Sequence, residues 1–267
     1  MNSVFVDKLF EGTVALVTGG GSGIGLRTAR ELAQLGSTVV LAGRSLEKLE
    51  PSAEVILSEG GKAYYTQCNI REEASVQQCI HFCIEKAGGL NHLVNNAGGQ
   101  FPSAAEHISR KGWQAVIDTN LNSTFFVTQT AFKEIFHKQG GCIVNVIANM
   151  WNGFPTMSHT GAARAGVENL TKSLAVEWGR YGIRINSVAP GTIDSSGLSS
   201  YDENIQKKIR ATKRHNQLYR LGTEAEVASA IIYLLSPAAS FITGETLKVD
   251  GGESLYSPLH PPIEPSI

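Results

Sequence analysis

Short runs of consecutive apolar residues, many of them β-branched, recur along the chain. They are VALVT (14–18), TVVLAG (38–43), AYYTQC (63–68), LNHLVNN (90–96), CIVNVIA (142–148), IRINSVAP (183–190) and TLKVDGG (246–252). Their apolar character is mostly continuous rather than alternating, as expected of strands buried on both faces. Between them lie stretches with apolar positions at helical spacing, among them 23–36, 46–59, 72–87, 111–138 and 160–181. Strand alternating with helix over the whole length predicts one α/β domain spanning 1–267. Its core is a parallel sheet of about seven strands with helices on both faces.

Two segments break the alternation. Residues 195–222 are polar, basic and without a strand pattern, and read as helical excursions beside a binding cleft. The tail SPLHPPIEPSI (257–267) is proline-rich and suits neither a helix nor a central strand. It is expected to pack on the surface or against a neighbouring subunit. Neither a composition break nor an internal repeat divides the chain.

Composition narrows the function classes. Over 267 residues the formal charge is −1, which gives no electrostatic reason to expect nucleic acid or an anionic membrane as partner. No apolar run has the length of a membrane helix. The start, MNSVFVDKLFEG, has neither a basic region nor a long apolar run, and the final Pro-Ser-Ile is not a peroxisomal address. The expected location is cytoplasmic. Cys68, Cys79, Cys83 and Cys142 lack metal or redox spacing and read as reduced core thiols. No His, Asp or Glu spacing suggests a metal.

The first strand runs into a glycine-rich turn and then a helix: VALVTGGGSGIGLRTARELAQLG. Glycines let the backbone turn sharply and approach a pyrophosphate, while the helix N-terminus offers free N–H groups and a positive dipole end. Gly19, Gly21, Ser22, Gly23, Ile24 and Gly25 are therefore candidate dinucleotide contacts, and the predicted architecture is a Rossmann fold. The second strand ends AGRS, with Arg44 and Ser45 where an NAD site usually carries a carboxylate. A guanidinium there suits a 2′-phosphate, so the expected cofactor is NADP. Asn69 and Ile70, at the end of the third strand, are candidates for the adenine edge.

TGxxxGxG (18–25), NNAG (95–98), DTNLNSTF (118–125), GCIVNV (141–146) and RINSVAPGTI (184–193) resemble, in order and spacing, the short-chain dehydrogenase/reductase family over about residues 10–253. Within it, residues 95–116, 158–191 and 234–256 are most similar to peroxisomal-type trans-2-enoyl-CoA reductases, with 2,4-dienoyl-CoA reductases next. The resemblance implies that Asn120 is the catalytic Asn. It implies that Asn96, Ala97 and Gly98 line the cofactor, and that Pro190, Gly191, Thr192 and Ile193 border the nicotinamide carboxamide. It also implies a homotetramer. The pattern departs at three positions: the family's Ser falls at Ile147 or Ala148, its Tyr at Thr160 and its Lys at Arg164.

Those departures bear on the chemistry. Reducing a ketone creates a basic alkoxide that needs a nearby acid. Reducing a C=C bond conjugated to a thioester places charge on an enolate oxygen, which asks for hydrogen-bond donors instead. Thr160 offers one O–H, and Arg164 keeps a positive charge near the nicotinamide ribose. The expected catalytic set is Asn120, Thr160 and Arg164. Thr160 is equally suited to cap a helix over 161–178. The expected substrate is an acyl-CoA, with Gln100, Phe101, Asn149 and Ser158 as candidate contacts. An imidazole is a tempting acid, but a single loop histidine such as His159 is a weak signal. Lys207, Lys208, Arg210, Lys213, Arg214 and Arg220 form a basic patch in 195–222, which suits CoA phosphates or simply a solvated helix face. Phe101, Trp151, Phe154 and Tyr219 suit either an acyl channel or the core. Loss of the Ser, Tyr and Lys also leaves open a catalytically silent NADPH-binding protein.

Overall fold

The computed structural model describes residues 5–200 and 202–264. Its strands are β1 (Val14–Thr18), β2 (Thr38–Gly43), β3 (Lys62–Gln67), β4 (His92–Asn95), β5 (Gly141–Val146), β6 (Ile183–Pro190), β7 (Ile193–Asp194), β8 (Gly222–Thr223) and β9 (Thr246–Val249). Seven of them form one parallel sheet in the order β3-β2-β1-β4-β5-β6-β9. The helices are α1 (Gly23–Gln34), α2 (Leu46–Ser58), α3 (Glu73–Lys86), α4 (Arg110–Ile117), α5 (Ser123–Ala131), α6 (His137–Gln139), α7 (Ser158–Trp178), α8 (Glu203–Ala211) and α9 (Glu224–Leu235). The fold is the expected single α/β Rossmann domain.

Sequence alternation explains the layers. Ala15 and Val17 of β1 face a core shared with Leu32 of α1, Ile56 of α2 and Ile231 of α9. Val14 and Leu16 face the other core, with Ile80 of α3, Val127 of α5 and Leu174 and Trp178 of α7. Every residue of β1 is buried, as a strand covered on both faces requires.

The structure refines the predicted elements. The run expected as one helix over 111–138 contains two π segments, Asp118–Asn122 and Phe132–Phe136, which separate α4, α5 and α6. Such insertions widen one turn and re-aim the residues on it. The helix expected from 160 starts at Ser158, so Thr160 lies inside its first turn and not at its N-cap, which is Met157. The excursion 195–222 lies between β7 and β8, which pair in parallel and pin its two ends together. It holds α8 and a 3-10 turn, Thr212–His215. The described part of the tail, 257–264, has no helix or sheet strand.

A buried polar chain crosses the middle of the sheet. The Asn95 amide donates to Thr128 Oγ1 (2.8 Å) and Asn145 Oδ1 (2.9 Å), the Asn145 amide donates to Thr171 Oγ1 (2.9 Å), and Thr171 shares a hydrogen bond with Ser187 (2.8 Å). The chain links α5 and α7 to β4, β5 and β6. It fixes α7 against the sheet two turns beyond Arg164, because each member would be costly to leave unpaired.

At the opposite end of the sheet, neither ring nitrogen of His92 has a partner among the described residues, and both are shielded from water. Phe10 packs edge-on against the ring at 5.2 Å. Burial, followed by the nearby Arg184 charge, pushes the imidazole from 6.5 down to about 4. Between those values the unfolded chain binds the proton that the folded chain refuses. Stability is therefore complete above pH 6.5 and falls towards pH 4, by roughly 3 kcal/mol from this one group. In His92→Leu, that part of the acid destabilisation is expected to vanish. Urea unfolding midpoints of the two proteins, measured across this range, should separate as the pH falls, with wild type dropping relative to His92→Leu.

Candidate active site

Strand order reverses between β1 and β4, and the crevice at their C-terminal ends is where ligands bind in open α/β sheets. The glycine turn after β1 folds back on β2, with the Gly19 N–H donating to Ala42 O at 2.7 Å. Gly19 sits at φ +65, a conformation that side-chain-bearing residues rarely adopt. A Cβ on Gly25 would collide with Gly19 O and Asn96 Nδ2. Ser22 is the N-cap of α1 and Ser45 that of α2, yet neither side chain caps its helix. Both hydroxyls and both helix starts are thus uncommitted, which fits a phosphorylated nucleotide.

Arg44 is exposed, and its guanidinium makes no ion pair among the described residues; only its carbonyl is used, by Gln67 Nε2 at 2.9 Å. Asn69 is more constrained than its sequence position suggests. Its backbone N–H donates to Ser75 Oγ (3.0 Å), its amide donates to Glu72, and its Oδ1 accepts from the Arg71 N–H (3.3 Å). Ile70 packs against the second core.

Across the crevice, Thr18 Oγ1 donates to Val94 O (3.2 Å) and accepts the N–H groups of Asn96 (3.0 Å) and Ala97 (3.1 Å). The Asn96 amide returns to Thr18 O and Gly19 O at 3.0 and 3.2 Å. One threonine and one asparagine thereby lock the glycine turn to the end of β4.

Asn120 occupies the π segment between α4 and α5 and is fully buried. Its amide donates to Gly99 O (2.7 Å) and Val116 O (2.8 Å), and its Oδ1 accepts from the Gly99 N–H at 3.2 Å. These bonds hold the 98–99 turn against the helix. A side chain at Gly98 would strike Asn120 Oδ1 and the Arg164 guanidinium, so Gly98, Asn120 and Arg164 form one cluster.

Arg164 projects from the second turn of α7, and its Nη1 donates to Val146 O at 2.9 Å. The residue is 8% exposed, and it belongs to none of the ion pairs among the described residues. Desolvation alone lowers its pKa to about 10. A buried cation without a counter-charge is costly unless a ligand supplies electron-rich atoms. Its Nε lacks a partner among the described residues, as do Asn149 Oδ1 and His159 Nε2. These atoms belong to the loop after β5 and the first two turns of α7. Unsatisfied hydrogen-bonding capacity at a cleft rim fits a ribose, a carboxamide and a polar substrate head.

Thr160 has no exposed surface, and its hydroxyl lies 3.4 Å from His159 Nδ1. Ser158, Gln100 and Phe101 are exposed near the same rim, and Ile147 continues the ladder with β6 through Val188 O (2.8 Å).

The loop Pro190–Ile193 follows β6. Glu253, unnoticed in the sequence, accepts the Thr192 N–H at 2.9 Å and approaches the Thr192 hydroxyl at 3.4 Å. Burial, the largest influence, raises its pKa above the usual carboxylate value. Asp250 holds the turn leading to it, accepting the N–H groups of Gly252 and Ser254 at 2.9 Å each. The available sequence signal was the glycine pair after β9, which sends the chain back over the cleft.

Residues 19–254 match the family described as enoyl-(acyl carrier protein) reductase. The chain is a short-chain dehydrogenase/reductase. This enzyme is an oxidoreductase whose fold implies a nicotinamide cofactor. It is 39% identical over 248 residues to a probable 2,4-dienoyl-CoA reductase of Bacillus subtilis (strain 168), covering 92% of this chain and 98% of the relative. It is 36% identical over 259 residues to the mouse peroxisomal 2,4-dienoyl-CoA reductase, covering 96% and 88%. Among solved structures, a citronellol catabolism dehydrogenase of Pseudomonas aeruginosa PAO1 superposes with a TM-score of 0.86 at 46% identity, covering 95% of this chain and 100% of that one.

Replacing Glu253 by Ala removes the acceptor for Thr192 and frees the Pro190–Ile193 loop of the reductase. Cofactor affinity is expected to weaken by about tenfold, the loss of one charge-assisted hydrogen bond. A fluorescence titration with the reduced cofactor measures it.

Proposed function

We propose that this enzyme reduces the C=C bond of a trans-2-enoyl-CoA with NADPH, and that 2,4-dienoyl-CoA esters are the nearest alternative substrates. The observation that carries this reading is the pair of replacements on α7. A fully buried threonine stands where the family's Tyr falls, and a buried arginine stands where its Lys falls. Neither can supply the acid that an alkoxide needs at neutral pH. An enolate asks for less. Fixed donors in a dry site stabilise it, and the α-carbon can take its proton from water.

Residue roles follow from this. The glycine turn and the starts of α1 and α2 hold the phosphates. Arg44, with Ser45 beside it, grips the 2′-phosphate, and the absence of a carboxylate at this strand end removes the group that would reject it. The bound nicotinamide supplies hydride to the β-carbon. Arg164 holds the ribose and puts positive charge beside the reaction, while Asn120 is a positioning residue that shapes the 98–99 turn. The first turn of α7, around Thr160, presents donors to the thioester oxygen.

CoA recognition falls to the excursion between β7 and β8. Arg210 is paired with Asp194, Arg220 is paired with Glu226, and Lys213 lies over the Tyr219 ring. Lys207, Lys208 and Arg214 are exposed without ion pairs among the described residues, and so can meet CoA phosphates. Val176 of α7 is 86% exposed and Phe241, before β9, is 103% exposed. Both suit the subunit contacts of a homotetramer. No described helix is long and apolar enough to cross a membrane.

NADPH absorbance in the presence of crotonyl-CoA, longer trans-2-enoyl-CoA esters, a 2,4-dienoyl-CoA and a simple ketone tests the reading. Consumption with the CoA esters is expected. Turnover with the ketone alone, or tight NADPH binding without any turnover, overturns it. In Arg44→Ala the preference for NADPH over NADH should fall by roughly tenfold to a hundredfold, the value of a charged hydrogen bond to phosphate.

A further inference from the structure

We propose that His159 is a catalytic residue: its Nε2–H is the donor that meets the thioester oxygen of the substrate. The proposal deepens the enoyl-CoA reading above and rests on it.

His159 lies on the first turn of α7, immediately before the threonine that replaces the family's Tyr, and is fully buried. Its Nδ1 accepts from the Thr160 backbone N–H at 2.9 Å, a hydrogen that also points to Met157 O at 2.9 Å. A backbone N–H can only donate, so Nδ1 is the bare nitrogen. The proton of the neutral ring therefore sits on Nε2. Nε2 has no partner. The fold thus fixes the tautomer and leaves its one N–H unspent, where nearly every buried polar group is satisfied.

The only ring stacked on the imidazole among the described residues is Phe101, edge-to-face at 4.7 Å. Phe101 is 38% exposed and lies in a segment without helix or strand. Its ring lies between the imidazole and solvent-exposed surface, and in the proposed role an acyl thioester must displace it to reach Nε2. The Thr160 hydroxyl lies 3.4 Å from Nδ1, so Thr160 acts through the imidazole as a positioning residue.

Hydride adds to the β-carbon, and the π electrons shift through the α-carbon to the thioester oxygen. The nicotinamide is oxidised and the alkene is reduced. Nε2–H hydrogen-bonds to that oxygen and keeps its proton, because losing it would leave an imidazolate. A proton from water adds to the α-carbon as the enolate collapses. The histidine works as a fixed donor rather than an acid, which is what an enolate requires.

Turnover of wild type, His159→Phe and His159→Gln with the best enoyl- or dienoyl-CoA, alongside NADPH affinity and thermal melting, tests this. In His159→Phe, kcat should fall by about 10²- to 10³-fold, the usual cost of one such donor, while NADPH affinity stays within about twofold. His159→Gln, which keeps an N–H, should recover part of the loss. Equal kcat in His159→Phe and wild type overturns the proposal and leaves the enoyl-CoA reading intact; an inactive wild type sinks that reading first. If His159→Phe does not fold, ¹⁵N NMR of the wild-type histidines decides. The Nε2–H tautomer, with its proton shifted by a saturated acyl-CoA plus NADP, upholds the role. The Nδ1–H tautomer or an unmoved resonance overturns it.

Discussion

Two neighbouring strands that send their helices to opposite faces part where their ladder ends, and the crevice that opens there needs its two sides held in place. Here the tie is Thr18. Its hydroxyl donates to Val94 O and accepts two N–H groups at the end of β4, and Asn96 returns the contact to the glycine turn. The pairing of β1 with β4 stops at Val17 and Val94, so these side-chain bonds begin where the ladder ends. Every later feature of the cleft is placed relative to this joint: the helix start of α1 on one side, the 96–99 turn on the other, and Asn120 behind that turn. A hydroxyl suits the position because it donates and accepts at once.

Across the joint stands a cation that the protein does not neutralise. Arg164 is buried, touches the Val146 carbonyl and has no carboxylate partner among the described residues. The polar chain from Asn95 to Ser187 holds the helix that carries it, so the charge cannot easily withdraw to solvent. An arrangement of this kind leaves a demand for electron density, which the proposed place of Arg164 beside the cofactor ribose would meet.

Much of this was readable in the chain before folding. The β1 and β2 bounds match the apolar runs, since a strand covered on both faces must be apolar throughout. The glycine turn was readable for a similar reason: few backbones other than glycine can adopt it. Local spacing could not reveal widened helix turns such as the π segment that carries Asn120, which packs against α7. Glu253 was hidden because its role depends on a chain reversal after β9, far in sequence from Thr192. His159 looked like a loop residue. The helix begins earlier than its composition suggests, at a Met N-cap with no capping side chain, and that turn buries the imidazole.

The pairing of β7 with β8 brings the two ends of the 195–221 excursion together at Ile193–Asp194 and Gly222–Thr223. A segment anchored at a single narrow neck is an exchangeable cassette. Its length and side chains can drift, or be transplanted from a relative, while the neck geometry and the sheet beneath stay the same. Under the proposed role of this segment, the choice of substrate could then diversify without disturbing the sheet and the glycine turn.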